Sequence, residues 1–120
     1  MRTRTTVTLA LALAVGLGLL SACVDDRPRI SIEFGAAPEL FTGKQVLIDG
    51  RVVGRLETTG QVTRISFPVS DGSHEVCVIV PGYACQTRTV EVRGAGRKAH
   101  LLLNVLDGTT ENGEPLVGFQ

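Results

Sequence analysis

The chain has 120 residues with twelve Lys or Arg against twelve Asp or Glu, so its formal charge is zero, and it contains no Trp and a single Tyr. That length allows one small domain. Scattered, balanced charge speaks against nucleic acid or another polyelectrolyte as ligand, and there are too few rings to stack bases or sugars.

The chain opens on Met1-Arg2-Thr3-Arg4, a short basic stretch, followed by an apolar run from Val7 to Leu20. This is the charge and length profile of a signal peptide, and the run is well short of the roughly 20 residues that cross a bilayer. Leu20-Ser21-Ala22-Cys23 resembles the lipobox of bacterial lipoproteins. The resemblance implies cleavage after residue 22 and lipidation of Cys23 with fatty acyl chains such as palmitate. Each buried methylene of an acyl chain contributes about 0.8 kcal/mol, so two or three chains hold firmly.

Cysteine arithmetic agrees, because an exported protein with three cysteines needs a use for the odd one. With Cys23 acylated, Cys77 and Cys85 remain as a pair in an oxidising compartment and are expected as a disulfide. Loss of Arg2 and Arg4 with the signal leaves ten Lys or Arg against twelve Asp or Glu. Residues 23–29 read as the lipidated cysteine and a short tether. Val24 follows the cysteine and Asp25 comes one residue later. That order leans towards the outer membrane, facing the periplasm.

From Ile30 the pattern is all-β. Short runs rich in Val, Ile, Thr and Leu recur at 30–34, 44–49, 52–57, 61–69, 74–80, 86–92 and 98–106, separated by Gly, Asp and Pro. Seven such strands predict a small antiparallel, Ig-like β-sandwich over 30–106. Asp49-Gly50 is a hairpin signal, because Gly supplies the positive φ of a tight primed turn. Asp71-Gly72 reads in the same way, and Pro81-Gly82 breaks the next strand. Alternation puts Thr63, Ile65, Phe67 and Val69 on one face, opposite Arg64 and Ser66. The run 75–80 is apolar on both faces and is expected as a central strand, with 101–106 beside it or across from it. Residues 107–120 read as a flexible polar tail whose apolar end, Leu116 to Phe119, is either an edge strand, a disordered end or a docking peptide.

Candidate chemistry is weighed against this architecture. His74, Glu75 and Cys77, with His100, are the residues a metal would need, yet His74 lies on the opposite strand face from Glu75 and Cys77. No Cys-x-x-Cys or His-Glu-x-x-His spacing occurs, so no metal and no cofactor are expected, and both histidines are read as surface residues. Asp49, Asp71 and Asp107 each precede a Gly, where bonding to the turn backbone explains them. Gly-x-Ser-x-Gly and phosphate-loop motifs are missing from the sequence, and the expectation is that the protein is not an enzyme.

Three segments together carry a family resemblance. Val46-Leu47-Ile48-Asp49-Gly50-Arg51-Val52-Val53-Gly54, then Asp71-Gly72-Ser73-His74-Glu75-Val76, then Pro81-Gly82-Tyr83 are similar to the PEGA domain family, over Lys44 to Leu103. The chain departs from the family at 55–63, where Arg-Leu-Glu-Thr-Thr-Gly-Gln-Val-Thr stands, and in its cysteine pair; a Pro-Glu-Gly-Ala string does not occur. The resemblance implies a small β-sandwich of envelope and surface-layer-like proteins without a shared catalytic activity. The expected function is therefore a lipid-anchored, non-catalytic envelope module for binding or scaffolding. The alternatives are an accessory or inhibitor subunit of an envelope complex and, behind it, a small periplasmic enzyme. The expected partner is a protein or a cell-wall glycan. Tyr83 is the residue considered for partner contact, against packing over the end of the sandwich.

Overall fold

The computed structural model describes residues 26–120. Cys23, the signal segment and Val24-Asp25 lie outside the described residues. Nine strands and one helical turn follow in order: β1 Arg29–Glu33, α1 Pro38–Phe41, β2 Gln45–Ile48, β3 Arg51–Arg55, β4 Arg64–Pro68, β5 Gly72–Ile79, β6 Ala84–Cys85, β7 Arg88–Val92, β8 Lys98–Thr109 and β9 Pro115–Phe119. They form two sheets, one ordered β4-β1-β8-β9-β6 and the other β3-β2-β5-β7.

The all-β sandwich is therefore present, with two differences from a purely antiparallel seven-strand plan. β1 runs parallel to β8, and β6 runs parallel to β9, because β1 and β8 both start at the same end of the sandwich. The second difference is the C-terminus. β8 continues to Thr109 and β9 pairs with it from Leu103↔Phe119 to Thr109↔Pro115, so 107–120 is not a flexible tail. Val117 is fully buried and Phe119 nearly so, and an apolar end that fills the core is ordered by the area it removes from water.

The core is one cluster drawn from alternate positions of facing strands. Ile30, Ile32 and Phe34 of the first sheet meet Val46, Ile48, Val76, Val78 and Val80 of the second, with Phe41, Leu56, Phe67, Leu101 and Leu103 filling between them. β5 is central in its sheet, as expected, and β8 lies in the opposite sheet. The outer face of β5 is less apolar in its setting than in its sequence, since Ile79 is exposed. β4 is an edge strand, which explains how it tolerates Pro68, a residue that cannot donate to a ladder.

Turn chemistry sets the connections. Asp49 and Gly50 have φ of 55° and 77°, and Ile48 pairs directly with Arg51, the two-residue hairpin with positive φ at both central positions. β3 carries an extra residue where the register shifts between Val46 and Leu47, a bulge on an edge strand. Gly54 is fixed by packing, because a Cβ there would stand 2.9 Å from Phe67 Cε1. Asp71-Gly72 does not close a hairpin: β4 and β5 belong to different sheets, so it is a corner between layers. The helical turn α1 escaped the strand pattern although Pro38 marks its first turn; it tucks Phe41 into the core on the crossover between sheets.

Candidate functional site

One end of the sandwich gathers the start of β1, the β2–β3 hairpin, the β4–β5 corner and the β7–β8 loop. The incoming chain is bonded there at once. The Gly96 N–H donates to the Asp26 carbonyl at 2.7 Å, the Val69 N–H to the Pro28 carbonyl at 2.8 Å and the Arg29 N–H to the Arg97 carbonyl at 2.8 Å. Residues 26–29, expected as tether, thus belong to the folded body, and any tether reduces to the few residues before Asp26.

His74 organises this end. It lies on the inward face of β5, in parity with Val76, Val78 and Val80, and is 7% exposed. The reading of His74 as a surface residue is corrected: facing inward where the sandwich opens, it reaches two loops. Its Nδ1 stands 2.6 Å from Asp49 Oδ2 and its Nε2 stands 2.7 Å from the Ser70 carbonyl. A carbonyl and a carboxylate both accept, so the protonated ring, with hydrogen on both nitrogens, satisfies the two contacts together and is the form this setting favours. Asp49 accepts a second bond at Oδ1 from the Glu75 N–H at 2.9 Å. The hydrogen bond to Asp49, reinforced by that to Ser70, raises the His74 pKa above its ordinary value against the cost of burial. The bond from His74 and that from the Glu75 N–H lower the Asp49 pKa.

Asp49 therefore does not serve its own turn, as its Asp-Gly context predicts. It spans to β5. Asp71 behaves similarly, its Oδ1 accepting from the Gly94 N–H at 2.9 Å, which ties the β4–β5 corner to the β7–β8 loop. Asp49 and His74 themselves line an open depression of about 390 Å³, together with Arg51, Val53, Pro68 and Ser70. A cluster whose donors and acceptors bond one another in this way holds the loops together.

The other candidate residues are dispersed. His100 is in the opposite sheet, exposed beside Ser31, Glu33, Arg64 and Leu102 around a shallow depression of about 220 Å³. Glu33 there is paired with Arg64 at 3.2 Å. Glu75 and Cys77 face away from His74, so His74, Glu75, Cys77 and His100 do not converge, and among the described residues no group of three or more His, Cys, Asp or Glu side chains could hold a metal ion. Cys77 and Cys85 are joined, with Cα atoms 6.0 Å apart. Because Cys77 is in β5 and Cys85 in β6, which pairs with β9, the bridge ties one sheet to the other. The Val78 N–H also donates to Cys85 Sγ at 3.2 Å. Tyr83 is half-buried and packs against the core, which leaves part of the ring at the surface. Among the described residues no helix is long and apolar enough to cross a membrane.

The sequence features that could have located the clasp are parity and charge: His74 falls on the same strand face as three valines. Comparison with protein-family models, with curated proteins and with solved structures finds no match to this chain.

Proposed function

We propose that the protein is a lipid-anchored component of a bacterial envelope, held at Cys23, whose β-sandwich is a non-catalytic module for binding or scaffolding. The observation that carries the non-catalytic part is the closure of the His74 cluster on itself: both ring nitrogens and both Asp49 oxygens are engaged within the fold. The anchor rests on the basic start, the apolar run and the Leu20-Ser21-Ala22-Cys23 lipobox. The likeness to PEGA domains over Lys44 to Leu103 supports the envelope setting in the same way. A module of this kind presents surface rather than chemistry, and a covalently crosslinked sandwich suits the oxidising side of a membrane.

The test compares the wild-type chain with Cys23→Ala in bacterial cells. The wild type is expected in the membrane fraction, with an acylated N-terminal peptide by mass spectrometry and discrete crosslinked adducts with an envelope protein or glycan; Cys23→Ala is expected in the soluble fraction. A wild-type chain with a free thiol at Cys23, or one that stays soluble and yields no adduct, would overturn the reading.

A further inference from the structure

The anchor and the fold together fix an orientation. Asp26, the first of the described residues, is already bonded to the body through its carbonyl and the Gly96 N–H. Two residues, Val24 and Asp25, separate it from Cys23, and three steps of about 3.3–3.6 Å give a fully extended span of about 10 Å. An acylated Cys23 has its glycerolipid in the headgroup layer, so the loops around Asp26 are held within that distance of the bilayer.

We propose that the sandwich stands end-on against the membrane, with the loops at 49–51, 70–72 and 93–98 in contact with lipid headgroups and the 110–114 turn farthest away. This rests on the lipid-anchor reading above. The occupant of the surface is the bilayer itself, and charge agrees with it. Arg51, Arg97 and Lys98 are exposed at this end. Of the carboxylates there, Asp49 is held by His74 and Glu91 by Arg93 at 2.6 Å, and Asp71 bonds the Gly94 N–H; Asp26 and Asp71 are exposed beside Arg51, Arg97 and Lys98, the side chains that can meet phosphate.

The opposite end follows from β8. This strand runs 12 residues from Lys98 in the loop cluster to Thr109, which at about 3.3 Å per step places its far end up to about 35 Å from its start. Asp107, Glu111 and Glu114 cluster around that tip, so the acidic end of the molecule is the one presented to the envelope space.

The chain contains no Trp, so single tryptophans report position without background. The acylated full-length protein is reconstituted in vesicles of phosphatidylethanolamine and phosphatidylglycerol that carry a headgroup spin-labelled lipid. Four variants are compared: Ala95→Trp in the β7–β8 loop, Asn112→Trp at the far turn, and Leu102→Trp and Thr89→Trp on the outer faces of the two sheets. Emission is expected to be lost to the quencher in Ala95→Trp and retained in the other three. Quenching of Leu102→Trp or Thr89→Trp equal to that of Ala95→Trp means the domain lies on its side, and quenching of Asn112→Trp means it is inverted; either overturns the orientation. Unquenched emission from all four, with acylation established by the mass of the N-terminal peptide, overturns it while leaving the anchor standing. An unacylated N-terminal peptide overturns both together.

Discussion

Removing the His74 ring should cost the domain a large and pH-dependent part of its stability. The ring is 7% exposed and donates two hydrogen bonds, at 2.6 Å to Asp49 and 2.7 Å to Ser70. Bonds from a charged donor contribute about 1.5–3 kcal/mol each. The Asp49 side chain is 49% exposed, so the lower half of that range applies, and His74→Ala is expected to cost about 3 kcal/mol in all. For a domain of this size that lowers the thermal midpoint by about 12–24 °C.

The pH dependence has a definite sign. The folded pKa of His74 lies above its ordinary 6.5, so its contribution is complete below 6.5 and fades as pH rises through the raised folded value. The folded pKa of Asp49 lies below its ordinary 3.8, so its contribution is complete above 3.8 and fades as pH falls through the lowered value. The clasp is strongest between those two ordinary values. Arg51, on the same hairpin, supports the carboxylate form of Asp49. Melting followed by circular dichroism across the pH range tests this: the gap between wild type and His74→Ala should be widest near pH 5 and narrow by pH 9. A His74→Gln variant, which cannot be charged, should flatten the wild-type slope above neutrality. A gap that is constant with pH, or wider in alkali, would refute the charged-clasp account.

Three further outcomes follow from packing and covalent structure. Replacing Cys77 and Cys85 with serine should cost about 2–3 kcal/mol, the loop-closure value for a bridge this short, and a denaturant titration with an unchanged midpoint would contradict it. Gly54→Ala places a Cβ 2.9 Å from Phe67 Cε1 and should cost about 1–3 kcal/mol by overpacking, with part of the loss recovered in the double variant Gly54→Ala/Phe67→Leu. Deleting 115–120 removes Val117 and Phe119 from the core, a loss of about 3–6 kcal/mol in buried area alone; a truncated chain that melts like the full one would show that β9 is dispensable.

Most of the strands are legible in the sequence because burial on one face writes a period of two. Arg64–Pro68 is the clear case, and the Asp49-Gly50 hairpin is legible because its turn is local. The pairing of β1 with β8 is not, since it joins Arg29 to Lys98 and only the closed fold brings them together. β9 was obscured by the Gly-rich polar stretch before it. The site failed differently. Asp49 has a sufficient local explanation in its own turn, which conceals its partner 25 residues away, and His74 looks like surface until its parity with Val76, Val78 and Val80 is noticed.

The residues on which the expected PEGA resemblance rests share one physical task. Asp49 and Gly50 close the hairpin, Gly54 admits Phe67, His74 bolts the hairpin to the β4–β5 corner, and Pro81-Gly82 with Tyr83 returns the chain so that Cys85 can reach Cys77. Each helps to hold two sheets and their loops in register. Residues that close the sandwich bear first on its fold, and the choice of partner can rest on positions outside the clasp. The exposed Val52 and Val53 of edge strand β3 and the acidic β8–β9 turn are the surfaces where this chain is free to differ.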